Sequence, residues 1–323
     1  MENKIGQMIT RPTVFVLGAG ASYGFGFPLG NRLKEIIIEN FDPITSEKVI
    51  ELFTGLGFSG EQISSFRNQL RLSPSISVDS FLEHRGDEDR DLGKLAIAYA
   101  LIPLEKTDLL FNISSWYNIL FNKIKSTFAD FEKNRISFIT FNYDRSLEHF
   151  LMTALVNQFN KPEQEVAEKL NKIPIIHLYG KLGKLPWETT KGDEFSREYK
   201  PQISQYLLRR SSKSLKIIYD KFELDNEDFK QARKLLSNAR RIYFLGFGYH
   251  TDNLDRLKIK LLSSNTTGYS SITTTPTVSR RIEGTSFKLP QDLKERIPKI
   301  YKIRFPNHDW DINEFFEQKI RLD

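Results

Sequence analysis

The fold is decided by the stretch Val14-Phe15-Val16-Leu17-Gly18-Ala19-Gly20-Ala21-Ser22. Four apolar residues, mostly of strand-forming types, end at two glycines, and a helix is expected to follow. Gly18 and Gly20 let the backbone approach a ligand closely, while Ala19 and Ala21 keep the pocket wall small. A strand, a glycine turn and a helix in this order are typical of sheets that bind the diphosphate of a nucleotide.

The glycine spacing departs from that of nicotinamide-dependent dehydrogenases. After Gly20 the next glycine is Gly24, and Tyr23 stands at the usual third glycine position. No strand ends in an acidic residue about 20 positions later, where a ribose-binding carboxylate is expected. The spacing therefore disfavours hydride transfer, and an ordinary strand–turn–helix joint remains the alternative interpretation of this stretch.

Short apolar strands alternate with helices along most of the chain, which predicts an α/β fold with a doubly wound, Rossmann-like parallel sheet. The predicted strands are residues 14–17, 136–141, 173–178 and 241–245, with a further one at 271–275 inside a Ser/Thr-rich stretch of loops. The predicted helices are residues 29–40, 146–157, 162–170, 225–238, 252–262 and 311–320, the last packed on the sheet.

Residues 45–133 contain no convincing strand, so we expect a helical insertion there, forming a small subdomain over the nucleotide site. Within it, apolar residues recur at helical spacing, which predicts one core-facing helix of about five turns. This stripe consists of Leu109, Ile113, Trp116, Leu120, Ile124 and Phe128. We interpret residues 1–323 as a single nucleotide-binding domain that carries this insertion.

Composition excludes several classes of function. The chain of 323 residues contains no cysteine, which rules out disulfides, a thiol nucleophile and a cysteine-bound metal. No apolar run reaches the length of a membrane span, and residues 1–11 lack the apolar stretch of a secretory signal, so we expect a cytoplasmic protein. The net charge of +6 suits an anionic ligand, but the basic residues fall in pairs, so direct nucleic-acid binding is not expected.

Polar residues follow the later predicted strands, and the carboxyl ends of parallel strands meet at one edge of a sheet. Asn142 and Asp144 follow one strand, and His177 ends the next. Three alternatives stay open: that Asp144 only caps the following helix, that His177 is a structural group, and that Gly246-Phe-Gly248 is an ordinary turn. Capping explains Asp144 well and Asn142 poorly, because one cap suffices.

Together these segments resemble the sirtuin superfamily, most closely the bacterial sirtuin-like NAD-cleaving effectors of antiphage defence. The resemblance rests on four segments in family order: Gly18-Ala19-Gly20 with the loop Tyr23–Gly30, Asn142-Tyr-Asp144, His177-Leu-Tyr179-Gly180, and Gly246-Phe-Gly248 followed by Asn253. Sirtuin deacylases usually hold zinc with four cysteines, which this chain lacks. The absence disfavours protein deacylation and leaves NAD chemistry untouched.

The resemblance implies an NAD glycohydrolase that uses NAD as substrate, without a metal, and depletes it during infection. Asn142 and His177 are the implied catalytic residues, although the family's histidine position is Tyr179 here. The implied NAD-binding residues are Gly18, Ala19, Gly20, Ala21, Ser22, Pro28, Asp144, Tyr179, Gly180, Gly246, Gly248 and Asn253. A non-catalytic NAD or ADP-ribose sensor is the alternative. Constant activity would be toxic, so we expect control through a homo-oligomer or a separate activator protein.

Overall fold

Five parallel strands form the centre of the protein in the computed structural model, which describes residues 8–124, 126–189, 196–217, 226–264 and 280–320. The strands are β1 (Thr13–Leu17), β2 (Ile136–Thr140), β3 (Ile175–His177), β4 (Arg241–Leu245) and β5 (Arg281–Gly284). Their order in the sheet is β3-β2-β1-β4-β5. This is the strand order of a Rossmann-like α/β fold, as the sequence predicts.

The central strands are buried on both faces, which explains why they appear in the sequence as continuous apolar runs. Each residue of β1 is buried, and Thr13 pairs in register with Ile136 on one side and Arg241 on the other. The ring of Phe15 stacks between Phe138 and Tyr243, at centroid distances of 5.4 and 5.6 Å. The residues of β2, β1 and β4 are therefore aligned side by side, each residue of β1 opposite one residue of each neighbour.

The chain between β1 and β2 contains only helices and turns in its described residues. These helices are α1 (Gly20–Tyr23), α2 (Gly30–Asn40), α3 (Glu47–Gly55), α4 (Gly60–Leu72), α5 (Val78–Leu82), α6 (Asp87–Leu101) and α7 (Trp116–Ile124), with 3-10 turns at Ile102–Leu104, Thr107–Phe111 and Phe128–Lys133. The predicted five-turn helix is wrong at both ends, because α7 ends at Ile124 and Phe128 lies in a 3-10 turn. It begins only at Trp116, and Ile113 is 86% exposed in the turn before it.

The helices that follow the later strands cover the sheet. They are α8 (Ser146–Phe159), α9 (Glu163–Leu170), α10 (Gln205–Lys213), α11 (Glu227–Asn238), α12 (Thr251–Arg256), α13 (Ile259–Ser264), α14 (Gln291–Tyr301) and α15 (Ile312–Gln318), with a 3-10 turn at Pro186–Glu188. The helix α15 packs on the sheet as predicted, because Phe316 stacks on Phe15. None of the helices in the described ranges has the length and apolar character of a membrane span.

Two predictions in the C-terminal third need correction. The predicted helix at residues 252–262 is divided into α12 and α13, because Lys258 adopts a left-handed conformation with φ of 57°. The strand predicted at residues 271–275 lies outside the described residues. The fifth strand observed is β5, which pairs with β4 over Arg281–Gly284.

Candidate functional site

The two glycine turns lie against each other at the carboxyl edge of the sheet, where the strand order reverses between β1 and β4. The N–H of Gly18 donates to the carbonyl of Leu245 at 3.0 Å, and the N–H of Gly20 donates to that of Gly246 at 2.9 Å. A Cβ at Gly18 would lie 2.6 Å from the oxygen of Gly246. Position 18 therefore requires glycine, because the backbones of the two turns meet there. The N–H groups of Gly18 and Gly20 donate to the opposite turn and are not available to a diphosphate. Among the described residues, the N–H of Ala19 has no hydrogen-bond partner.

Asn142 joins the end of β2 to the first glycine turn. Its Nδ2 donates to the carbonyl of Gly18 and to Oγ of Ser22, both at 3.0 Å. The hydroxyl of Thr140 fixes its backbone by accepting from the N–H at 3.0 Å. The side chain is half-buried, and within the described part of the chain its Oδ1 accepts no hydrogen bond. Asn142 therefore offers a held acceptor next to the first turn.

Asp144 lies behind Ser22 and is buried. Its Oδ2 accepts from the hydroxyl of Ser22 at 2.7 Å, while Oδ1 accepts from the N–H and hydroxyl of Ser146 at the start of α8. Burial raises the pKa of Asp144, against the lowering effect of the hydrogen bonds from Ser146 and Ser22. This geometry matches the helix-capping interpretation. Asp144 supports the site through Ser22 and presents no free oxygen to a ligand in this arrangement.

His177 also faces the protein interior. Its Nδ1 lies 2.9 Å from the carbonyl oxygen of Asn142, and its Nε2 lies 2.7 Å from Oε1 of Glu148. Burial opposes ionisation of Glu148, but Lys181 and His177 outweigh it and hold the pKa of Glu148 well below its usual range. Both ring nitrogens therefore face groups that only accept hydrogen bonds, and neither lone pair is directed at water.

Tyr179, which the sirtuin-like resemblance aligns with a histidine, lies within a polar cluster. Its hydroxyl donates to Oδ1 of Asn253 at 3.1 Å and accepts from Nη1 of Arg256. Arg256 also forms an ion pair with Glu83 of the helical insertion at 2.9 Å. Burial raises the pKa of Tyr179 above its ordinary value, so the phenol is neutral near pH 7. The structure thus brings Tyr179 and Asn253, two of the predicted site residues, into contact.

The remaining predicted residues line the turns around this cluster. Gly180 has a φ of 71°, and a Cβ there would overlap the carbonyl oxygen of Ser214. Pro28 is half-buried in the loop before α2, and Gly248 is exposed. Backbone geometry therefore explains Gly180, whereas nothing in the structure explains Pro28 or Gly248 in this way.

A second acidic residue, Asp79, reaches this edge from the helical insertion. It is not among the residues that the sequence predicts for the site. Ser77 caps the short helix α5, and a Cβ at Gly30 would lie 3.7 Å from its Cβ. Asp79 follows two residues later and accepts a hydrogen bond from the hydroxyl of Tyr143. The capping serine marks the start of α5 in the sequence. No local signal shows that α5 meets the residue between Asn142 and Asp144.

A buried ionic cluster fixes the start of α8 to the insertion. The carboxylate of Glu105 accepts from Nε and Nη2 of Arg145 at 2.9 and 2.7 Å, and from Nη2 of Arg197 at 2.6 Å. Arg145 and Glu105 are fully buried. Burial, and then the neighbouring Arg145, lower the pKa of Arg197 to about 10. Arg145 directly follows Asp144, so this cluster holds the site segment in place.

A separate shallow groove of about 630 Å³ lies along α3, between Pro43 and Gly55, with Gln205 at its side. It is far in the chain from the turns described above and contains only two acidic residues, Glu47 and Glu51. In the described ranges, no three histidine or acidic side chains form a group that could hold a metal ion. The polar side chains that could bind a ligand therefore lie together beside the glycine turns and not in this groove.

Fold and site together define an α/β protein with Rossmann strand order whose polar residues meet at the point where that order reverses. Ligands bind at this point in open parallel sheets. No protein-family model and no curated protein matches this chain. The resemblance to sirtuin-like proteins therefore depends on the four sequence segments, whose residues the fold brings to one edge.

Proposed function

We propose that this protein binds NAD at the edge formed by the two glycine turns and hydrolyses the bond between nicotinamide and ribose. The products are nicotinamide and ADP-ribose. The proposal combines the four sirtuin-like segments with the strand reversal between β1 and β4, which is the usual place for a dinucleotide in this class of sheet.

The observation that carries the proposal is the position of Asn142. Its amide bridges the carbonyl of Gly18 and the hydroxyl of Ser22, so the end of β2 is held against the first glycine turn. This fixes Oδ1 beside the loop that the resemblance assigns to NAD. A held acceptor of this kind suits a ribose hydroxyl or an attacking water.

The reaction requires little machinery, because nicotinamide is a cation while attached and leaves as a neutral molecule. Glycoside hydrolases usually need a second carboxyl group to protonate their leaving group, and this leaving group needs none. The protein must hold the ribose, accommodate an oxocarbenium-like centre and orient a water. Asn142 serves orientation, and the Asn253–Tyr179–Arg256 cluster offers polar contacts to the rest of the nucleotide.

The experiment that tests this proposal is mass spectrometry of NAD incubated with the purified chain. We expect nicotinamide and ADP-ribose in equal amounts, and a loss of about 10²–10³-fold in kcat for Asn142→Ala, as for removal of one preorganised polar group. Asn157→Ala is the matched control, because Asn157 is exposed and bonds only within α8. Full activity in Asn142→Ala, with an unchanged thermal unfolding curve, would contradict the proposal.

A second candidate function is a module that binds NAD or ADP-ribose without cleaving it. Two observations favour it: Tyr179 stands in the family's histidine position, and both nitrogens of His177 are engaged by Asn142 and Glu148. This candidate predicts a rise in Tm with NAD and no product, also in the presence of candidate partner proteins. A protein deacylase is disfavoured, because the chain has no cysteine for the family's zinc module.

By resemblance, the cellular role would be depletion of cytoplasmic NAD in antiphage defence. Such an activity must be restrained in healthy cells. We therefore propose that a homo-oligomer or a separate activator protein controls it, and assays of the purified chain should include a range of protein concentrations.

A further inference from the structure

The site described above lacks an evident proton acceptor for the attacking water. His177 has both nitrogens engaged, and Tyr179 is neutral near pH 7. Both oxygens of Asp144 are bonded to serines. Hydrolysis nevertheless releases one proton from water, and a positioned side chain that takes it accelerates the step.

Asp79 is a carboxylate at the same edge that accepts a hydrogen bond from its own backbone N–H and, among the other described residues, only from Tyr143. Its Oδ1 accepts from the hydroxyl of Tyr143, the residue next to Asn142. Its Oδ2 makes no hydrogen bond to any other residue in the described ranges, and the side chain is only half-buried. The capped helix α5 holds it beside the loop that precedes α2.

The groups around Asp79 place its pKa near neutral pH. The pKa of Asp79 is raised to about 7, chiefly by burial and also by Glu83, against the lowering effects of a hydrogen bond from its own backbone N–H and of Arg256. Tyr143 and Tyr179 are the other titratable groups that face it, and both are buried phenols. An acid–base group with a pKa near the working pH is the most effective one for proton transfer.

We propose that Asp79 is a catalytic residue that accepts the proton of the attacking water. This inference rests on the proposed NAD hydrolysis. The water oxygen bonds to C1′ of the ribose, and the bond from C1′ to the pyridinium nitrogen breaks. The electron pair of that bond goes to the nitrogen, which gives neutral nicotinamide, and the water proton goes to Oδ2 of Asp79. The helical insertion thereby contributes a residue to the chemistry.

The test is the pH dependence of kcat/KM for NAD between pH 5 and 9. For the wild type we expect a rise with pH that has its midpoint near 7. In Asp79→Asn we expect a loss of about 10²–10⁴-fold at pH 8 and no such rise. Asp87→Asn is the matched control, because this carboxylate of the same insertion is 98% exposed, and its profile should equal that of the wild type.

Tyr143→Phe supplies an independent readout. It removes a hydrogen bond that favours the charged form of Asp79, so the midpoint should move to higher pH while the activity at pH 9 stays close to that of the wild type. If Asp79→Asn does not fold, the pH profile of Tyr143→Phe is the test. A midpoint of kcat/KM equal to that of the wild type then refutes the inference.

The possible failures are distinguishable. Absence of NAD cleavage by the wild type at every pH, over the full range of protein concentrations and with candidate partner proteins added, would overturn the proposed function, and this inference with it. Cleavage by the wild type together with an unchanged rate and profile in Asp79→Asn would leave the proposed function standing and overturn only the role of Asp79.

Discussion

Replacing Asp79 by asparagine should stabilise the protein at alkaline pH, and this prediction needs no substrate. Burial raises the pKa of Asp79 from its ordinary value of 3.8 to about 7. Between these two values the folded protein binds more protons at this residue than the unfolded chain does. Stability therefore falls as the pH rises through this window.

The size of the effect follows from the pKa difference. A difference of about 3 units corresponds to about 4 kcal/mol at 1.36 kcal/mol per unit. Solvent access to the half-buried side chain reduces it, so we expect about 2–4 kcal/mol. Asparagine does not titrate, and its Oδ1 still accepts from the hydroxyl of Tyr143. Asp79→Asn should therefore gain this amount over the wild type at pH 8 and show little difference at pH 4.

Urea unfolding at pH 4, 5, 6, 7 and 8 measures the effect. The difference in free energy of unfolding between Asp79→Asn and the wild type should grow steadily across the series. The exposed control Asp87→Asn should give a constant difference. A constant difference for Asp79→Asn, or a variant less stable than the wild type at pH 8, would refute this account and identify Asp79 as a structural residue.

Two further predictions concern the support of the site, and both are measured by urea unfolding at pH 7. Glu105→Gln should destabilise the protein by about 3–5 kcal/mol, because it leaves two buried guanidinium groups without their charge partner. Arg32→Ala, which removes exposed ion pairs, should leave the unfolding curve close to that of the wild type, and similar losses for both variants would contradict the argument. Gly246→Ala should cost more than about 2 kcal/mol, because Gly246 has a φ of 53° and the new Cβ would overlap the backbone at Ala21. Gly248→Ala should be nearly neutral, since the nearest atom to its Cβ would be 3.3 Å away on a flexible side chain, and an equal loss in the two glycine variants would be the contrary result.

The central strands could be predicted from the sequence because burial on both faces leaves an apolar run with few interruptions. The bounds of β4 are those predicted, Arg241–Leu245. The strand β5 could not be found in this way. It is a four-residue edge strand that contains Arg281, Glu283 and Gly284, so no apolar pattern marks it. Its identity depends on pairing with β4, which is a tertiary contact.

The sequence could predict which residues follow the strands and so lie at the sheet edge. It could not predict the direction of their side chains. Asn142 meets the first glycine turn as expected. Residues two apart in an extended strand share a face, which would place His177 and Tyr179 on the same side. The strand β3 ends at His177, and Gly180 turns the chain with a φ of 71°. His177 therefore points to Glu148, and Tyr179 points to α12.

The segment from Asn142 to Arg145 connects the end of β2 to several other parts of the fold. Asn142 contacts the first glycine turn, and Tyr143 contacts Asp79 in the insertion. Asp144 binds a serine of α1 and a serine of α8, and Arg145 binds Glu105. Four consecutive side chains thus fasten four different parts of the fold at one strand end. A change in the insertion can therefore reach the residues beside the glycine turn through direct contacts, which is the route that the proposed control by an activator or a second copy of the chain requires.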